Sequence, residues 1–414
     1  MRGFDTARVR HLSLRAREVY ASEGIEGVLR RGRLRLRRQR GFRRDAGLPA
    51  TPVGASAVKW PVSVLSVAEQ SIPQCYHYRV EQKAQILSGL GVPFESIGID
   101  DLDHARSRLQ LAGLLIVYRL AWTPALHALV EEAHRLRIPV VFEVDDLVHD
   151  REATAANPNL QTLPTSLRDA VIAGADGYGR ALAAAEVNLA STQVLADDMQ
   201  SLNRQPGMVV ANGIDDSMLA AEPHLRAVPK ADTPIVIYGS GSRAHDHDFA
   251  VAAPGIAQWL HENPDARLHL VGPVQVPAVL QPLAAQIQRT AQELPYEEYL
   301  RHLRRSTICI APLVDAHFNT FKSHVKYLEA ALVGTALVAS PTVYADYVRD
   351  GQTGLIADAD GWGRALSRLT QDPDLPARLT AAARDDVRRW ELRNEPTEQM
   401  RAVLDAVAPS WRGR

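Results

Sequence analysis

The chain has 414 residues, 46% hydrophobic and 23% charged, a mix that excludes a disordered chain and has room for two domains. Its formal net charge of −1 gives no case for nucleic acid as a partner. Only two cysteines, Cys75 and Cys309, are present, which excludes a disulfide framework, argues against a structural zinc site and fits a reducing compartment.

Residues 1–58 stand apart from the rest. Val9, Leu12, Ala16, Val19 and Tyr20 recur at helical spacing, and an arginine run from Arg30 to Arg44 follows with no acidic residue in it. Such a segment suits anionic lipid headgroups, and a basic tail without fixed structure fits the same residues. It lacks the apolar core of a signal peptide. No stretch reaches the roughly 18 apolar residues of a membrane span; the best, Leu111 to Trp122, is broken by Arg119.

From residue 59 to 212 the rhythm is strand, loop, helix. Strands are predicted at Val62–Val67, Leu114–Tyr118, Pro139–Val144, Val187–Ala190 and Gly207–Val210, with helices at Gln82–Leu90 and Pro124–Leu136. Residues 213–233 read as the connection. From 234 to 385 the same grammar returns, with strands at Ile235–Tyr238, Leu268–Val271, Ile308–Ala311 and Ala336–Ala339 and helices at Phe249–Glu262 and Ser323–Leu332. Helices continue to Ala408, and residues 386–414 are expected to pack back on the first domain. Short apolar strands alternating with helices imply parallel sheets covered on both faces. The expected fold class is therefore α/β, with two Rossmann-like doubly wound domains facing a cleft. Ligands in such folds bind outside the carboxyl ends of the strands, so those loops hold the candidate residues.

The most informative loop runs from Asn319 through Lys322-Ser323-His324 to Lys326 and Glu329. A helix start offers unpaired N–H groups and the positive end of a dipole, a seat for a diphosphate. Lys322 and Lys326 have the wrong sign for that end of a helix, and a bound anion explains them. Glu329 lies about two turns in, where its carboxylate can accept from ribose hydroxyls. An ordinary amphipathic helix with a solvated Lys326–Glu329 pair has the same spacing. A second loop, Tyr238-Gly-Ser-Gly-Ser-Arg-Ala-His245, permits close approach of a phosphate at Gly239 and Gly241, with Arg243 and His245 beside it. Dinucleotide binding is the rival, but the next strand ends without the acidic residue it requires. In the first half, Glu143, Asp145 and Asp146 end a strand, and Asp146 is a candidate to orient an acceptor hydroxyl or to cap a helix. Arg79, at a helix start, is a candidate to reach a phosphate across the cleft or an acceptor, and a surface arginine fits the same position equally.

These segments together resemble the donor-site motifs of retaining GT-B glycosyltransferases of the bacterial surface-polysaccharide type, the group 1-like transferases. The match consists of Asn319, Lys322, Ser323, Lys326, Glu329, Ala331, Gly334 and Ser340, with His245, Asp248 and Phe249, Asn212-Gly213-Ile214-Asp215, and the Tyr78-Arg79 pair. It spans the chain from Pro61 onward. The resemblance implies a GT-B enzyme that transfers a sugar from a nucleoside diphosphate sugar to a glycan or lipid-linked hydroxyl, with retention and without a metal or other cofactor. It implies a cytoplasmic protein, peripheral on the inner membrane if residues 1–45 bind lipid. Donor-binding residues would be Gly239, Gly241, Arg243, Lys322, Ser323, His324, Lys326 and Glu329, and catalytic ones Asp146, Arg79 and His245. The commoner motif carries a further glutamate where this chain has Phe321. A variant that has moved that contact elsewhere would tolerate Phe321→Glu; a non-catalytic sugar-nucleotide-binding or membrane-associated subunit is the alternative reading.

Overall fold

The computed structural model describes residues 63–241, 245–290 and 294–412. The basic N-terminal segment and Arg243 lie outside them.

Two six-stranded parallel sheets form the frame. The first contains β1 (Val64–Ala68), β2 (Phe94–Gly98), β3 (Leu114–Tyr118), β4 (Val140–Val144), β5 (Val187–Ala190) and β6 (Gly207–Val209), in the order β2-β1-β3-β4-β5-β6. The second contains β7 (Ile235–Gly239), β8 (Arg267–Val271), β9 (Ile287–Thr290), β10 (Ile308–Ala311), β11 (Ala336–Ala339) and β12 (Leu355–Ile356), in the order β12-β11-β10-β7-β8-β9. The order reverses between β1 and β3 in one sheet and between β7 and β10 in the other. The loops after these four strands therefore border the natural ligand crevices. Every residue of β1, β3, β4 and β5 is buried, as near-continuous apolar runs such as Leu-Leu-Ile-Val-Tyr require.

Several elements depart from the sequence expectations. The connection is not open chain but holds helix α2 (Asp216–Ala227), capped by the Asp215 side chain, which accepts from Met218 N. A long helix at Thr165–Ala183 and the strands β2, β9 and β12 were not expected. The helix predicted from Ser323 begins at Val325, because His317–Phe321 forms a 3-10 turn and Lys322 is extended.

Four helices position the site and its supports besides α2: α1 (Gln82–Gly89), α3 (Asp246–Glu262), α4 (Val325–Val333) and α5 (Glu395–Val407). A one-turn stretch of π-helix, His77–Glu81, leads into α1. One face of the first sheet is covered by Met400, Val403 and Leu404 of α5, which join Val64, Ile116 and Leu189 in one apolar cluster. The chain crosses between the sheets twice, and the crossings touch. Ile214 N donates to Trp390 O at 2.9 Å, and Leu392 N donates to Ile214 O at 3.0 Å. A Cβ on Gly213 would meet Trp390 O at 2.4 Å, so only glycine allows the two crossings to lie this close.

Candidate functional site

Helix α4 rises from the loop after β10, and its first turn points at the loop after β7. Lys326 Nζ donates to Gly239 O at 2.6 Å and lies 5.2 Å from the centre of the Tyr238 ring. A Cβ on Gly239 would strike the Tyr299 ring at 2.6 Å, whereas one on Gly241 would meet nothing closer than the Gln74 amide of the first domain, at 3.6 Å. Gly239 therefore serves packing, while Gly241 is at the open side of the turn. Lys322 Nζ sits 3.4 Å from Asp146 Oδ1, which lies in the loop after β4 of the first domain.

About one turn along α4, Glu329 is only 5% exposed and meets the first domain as well. Tyr78 Oη donates to Glu329 Oε1 at 3.2 Å, and the Tyr78 and Tyr296 hydroxyls are 2.8 Å apart. Burial pushes the Glu329 carboxyl above its usual range, opposed by Lys326 and the two phenols. A buried carboxylate matched only by hydroxyl groups and a lysine is suited to accept from a diol.

His245 and Asp248 begin α3. His245 Nδ1 is 3.1 Å from Asp248 Oδ2. Burial and the neighbouring Lys322 lower the imidazole's pKa, while Asp248 opposes them. The pairing makes Nδ1 the protonated nitrogen and leaves Nε2 as the one that can meet a ligand.

The three acids at the end of β4 separate into different roles. Glu143 is buried and holds two cations, with Arg79 Nε at 2.8 Å and Lys83 Nζ at 2.6 Å. Asp145 pairs with Arg119. Asp146 alone faces the second domain, and it is Asp150, not Asp146, that caps the following helix.

Three sequence expectations need correction. Arg79 does not reach into the cleft: it is 1% exposed, and Nη1 donates to Val210 O at 2.7 Å and Asn212 Oδ1 at 2.8 Å, so the guanidinium is consumed in tying π-turn, sheet and crossover together. His324 is packed between Tyr347 and Trp390, each ring 4.2 Å away, with no hydrogen-bond partner on either nitrogen. Burial, helped by Arg389, drives its pKa down to about 3, so it carries no charge for a phosphate. Phe321, 2% exposed, lies in the apolar core of the first domain, and its carbonyl accepts from Thr192 Oγ1 at 3.2 Å. A glutamate there would be a buried charge, which overturns the expected tolerance of Phe321→Glu. Ser323 Oγ accepts from Asn212 Nδ2 at 2.9 Å and keeps its O–H free to donate. His149 pairs with Asp198 and His77 with Asp215, both at 2.9 Å.

Tyr296 and Asn159 belong to the cleft and were not anticipated. Neither carries a local signal: Tyr78 meets Tyr296 across 218 positions, and Asn159 meets Asp248 across 89. Among the described residues, no cluster of three His, Cys, Asp or Glu side chains is placed to hold a metal ion. Among the same residues no helix is long and apolar enough to cross a membrane.

The family model of glycosyl transferases group 1 matches residues 233–372. Among solved structures, the sucrose-phosphate synthase of Thermosynechococcus elongatus is 15% identical, with a TM-score of 0.55 over 84% of this chain and 100% of that one. Anabaena HepE, solved in complex with UDP and glucose, is 12% identical, with a TM-score of 0.53 over 83% of this chain and 100% of that one. The α,α-trehalose 6-phosphate synthase of Burkholderia multivorans is 10% identical, with a TM-score of 0.50 over 84% of this chain and 97% of that one. No curated protein matches the chain. At these identities the structural likeness establishes the fold, which is GT-B. Within that fold the family match falls in the second half of the chain, over 140 of its 414 residues. More particularly, the second domain is of the glycosyl transferases group 1 type.

Proposed function

We propose that the chain transfers a sugar from a nucleoside diphosphate sugar to a hydroxyl of a glycan or lipid-linked acceptor, with retention, in the synthesis of cell-surface polysaccharide or glycolipid. The observation that carries this reading is α4. Its N-terminus faces the glycine turn after β7 with Lys322 and Lys326 beside it, and Glu329 faces the first domain about one turn further on. In this reading Gly241, Lys326 and Lys322 hold the diphosphate, with Arg243 and His245 at its side, and Glu329 takes the ribose diol in place of the Tyr78 hydroxyl. Asp146, exchanged from Lys322 to the acceptor, orients the attacking hydroxyl. The bond from anomeric carbon to diphosphate oxygen breaks, the acceptor oxygen bonds to that carbon, and the acceptor's proton leaves with the diphosphate. The cations and the helix end supply the positive charge that the leaving group needs, so chelation should leave donor binding intact.

UDP is the first nucleotide to test, because HepE is solved with UDP and with UDP-glucose. A ligand that binds the native state raises its melting temperature. A panel of nucleoside diphosphates should contain one that stabilises the wild type and not Glu329→Ala. That nucleotide's sugars should then be consumed only with a cell-envelope acceptor. Stabilisation without turnover supports a sugar-nucleotide-binding subunit instead. The arginine run from Arg30 to Arg44 is proposed to hold the enzyme on an anionic membrane face. Removing residues 1–45 should reduce binding to phosphatidylglycerol vesicles without changing nucleotide affinity, and equal vesicle binding refutes that part.

A further inference from the structure

Asp248, at the start of α3, is fully buried and has two partners on each carboxylate oxygen. Oδ1 accepts from Asn319 Nδ2 at 2.7 Å and from Val314 N at 3.1 Å. Oδ2 is shared between His245 Nδ1 at 3.1 Å and Asn159 Nδ2 at 3.0 Å. Three of these partners come from the second domain. Asn159 comes from the first, on the short 3-10 segment Pro158–Thr162, and it makes a second bond to the same residue: Asp248 N donates to Asn159 Oδ1 at 3.2 Å. The Asn157 side chain accepts from Asn159 N at 3.0 Å and sets the segment's start. A two-pronged amide from one domain thus grips the residue that orients the candidate phosphate-side histidine of the other.

We propose that Asn159 is a positioning residue for the donor site: from across the cleft, and through Asp248, it fixes the imidazole of His245. This rests on the reading of His245 as a group beside the donor diphosphate. Physically, Asp248 Oδ2 divides its hydrogen-bonding capacity between an amide and an imidazole. With Asn159 in place, the carboxylate holds the ring in one tautomer but is a weaker partner for the imidazolium. Without Asn159, the whole oxygen turns to His245, which gains proton affinity and loses the fixed geometry. Among the described residues, the other charged groups facing the ring are Lys322, from the loop before α4, and Asp146, from the first domain. Both are untouched by a change at Asn159. Engagement of the first domain and the state of His245 are thereby linked by one side chain.

The test uses the full chain, with imidazole nitrogen NMR on the wild type, Asn159→Ala and Leu160→Ala, and His245→Gln to assign the signal. Leu160 is a buried apolar residue of the same segment; its truncation loosens the segment without removing a partner of Asp248. Asn159→Ala should raise the His245 titration midpoint by roughly half a unit or more and speed exchange of its Nδ1 proton, while Leu160→Ala should do neither. Should Asn159→Ala fail to fold, Asn159→Ser, which lacks the two-pronged amide, is read the same way. In donor turnover, Asn159→Ala should shift the acid limb of the kcat profile upward and lower kcat about tenfold with KM little changed. An unchanged His245 titration, or equal shifts in both variants, overturns the proposal. Loss of UDP binding and turnover in the wild type would instead sink the donor-site reading, and the NMR comparison would still decide the link from Asn159 to His245.

Discussion

Charged and polar groups join the two domains at two places, the crossovers and the cleft, and they are treated differently. At the crossovers Arg79, Lys83 and Glu143 are buried together, with Arg79 further bonded to Val210 and Asn212 and Gln82 to Gly213. Both cations share the one carboxylate of Glu143, within the protein. At the cleft two lysines gather at a helix start with the partly buried Asp146, and Glu329 is matched by Lys326 and by the phenols of Tyr296 and Tyr78. Burial of a charge is tolerable only where it is paired and hydrogen-bonded. The crossovers meet that condition with protein groups alone, and the cleft meets it with groups a ligand can replace. The comparison explains why Arg79, which looks like a phosphate ligand in sequence, is structural, while Lys322 and Lys326 fit the phosphate role.

The largest effect should come from breaking the crossover network. Glu143→Ala leaves Arg79 and Lys83 buried without a counter-charge, and losing one partner of a buried pair costs about 3–5 kcal/mol. Chemical denaturation should show that loss, and a change below about 1 kcal/mol would show that the network is not a structural element. Burial holds Lys83 down to about 8 against the pull of Glu143; without Glu143 the lysine sheds its proton at lower pH still, which recovers part of the loss.

Phe321 sharpens the same contrast from the apolar side. It carries the second domain's 3-10 turn into the first domain's core, together with Phe318. Phe321→Ala should destabilise by about 3–5 kcal/mol, and Phe321→Glu at least as much, with both visible as lower denaturation midpoints. Wild-type stability of Phe321→Glu would mean that the side chain turns into the cleft.

Glu329→Ala should do the reverse: keep the fold and lose ligand. Removing a charged acceptor costs about 1.5–3 kcal/mol of binding, or about ten- to a hundredfold in the affinity for UDP by calorimetry. Unchanged affinity in a folded protein defeats the donor-site assignment.

The smallest effect concerns pH and the pair His77–Asp215, at the edge between the two regions. Burial opposes charge on His77, but Asp215 and Glu81 outweigh it and lift its pKa from 6.5 to about 9. Burial likewise opposes the Asp215 charge, yet His77 and Ser217 hold it at about 2 instead of 3.8. The histidine's contribution is complete below about pH 6.5 and fades as pH rises through 9. The aspartate's is complete above about pH 4 and fades as pH falls through 2. The pair should stabilise most between these limits, by on the order of 1–3 kcal/mol. His77→Gln should flatten the decline in melting temperature between pH 6.5 and 9, and an equal decline in both proteins would remove the pair from the account.

What was legible in the sequence was whatever local chemistry decides. Leu114–Tyr118, Val187–Ala190, Ile308–Ala311 and Ala336–Ala339 are strands with the expected bounds, because a short apolar run flanked by turn residues has few other uses in an α/β chain. The α/β class and the two sheets followed from their alternation with helices. Strand β2 (Phe-Glu-Ser-Ile-Gly) is mostly half-buried and β12 has only two residues, so neither carries enough apolar pattern to announce itself. The side-chain roles divide the same way. Lys322, Lys326 and Glu329 lie close together in sequence around one helix start, which makes them candidates, while their spacing alone fits an ordinary amphipathic helix as well. Arg79 and Arg119 look alike in sequence, and only the partner 64 positions away, Glu143, makes Arg79 structural. Phe321 reads as a gap in a donor motif and is an anchor in the opposite domain. Asn159 has no reading at all until the fold places it on Asp248. Hydrogen bonds and burial are properties of pairs, and the pairs that matter most here are joined by tertiary structure alone.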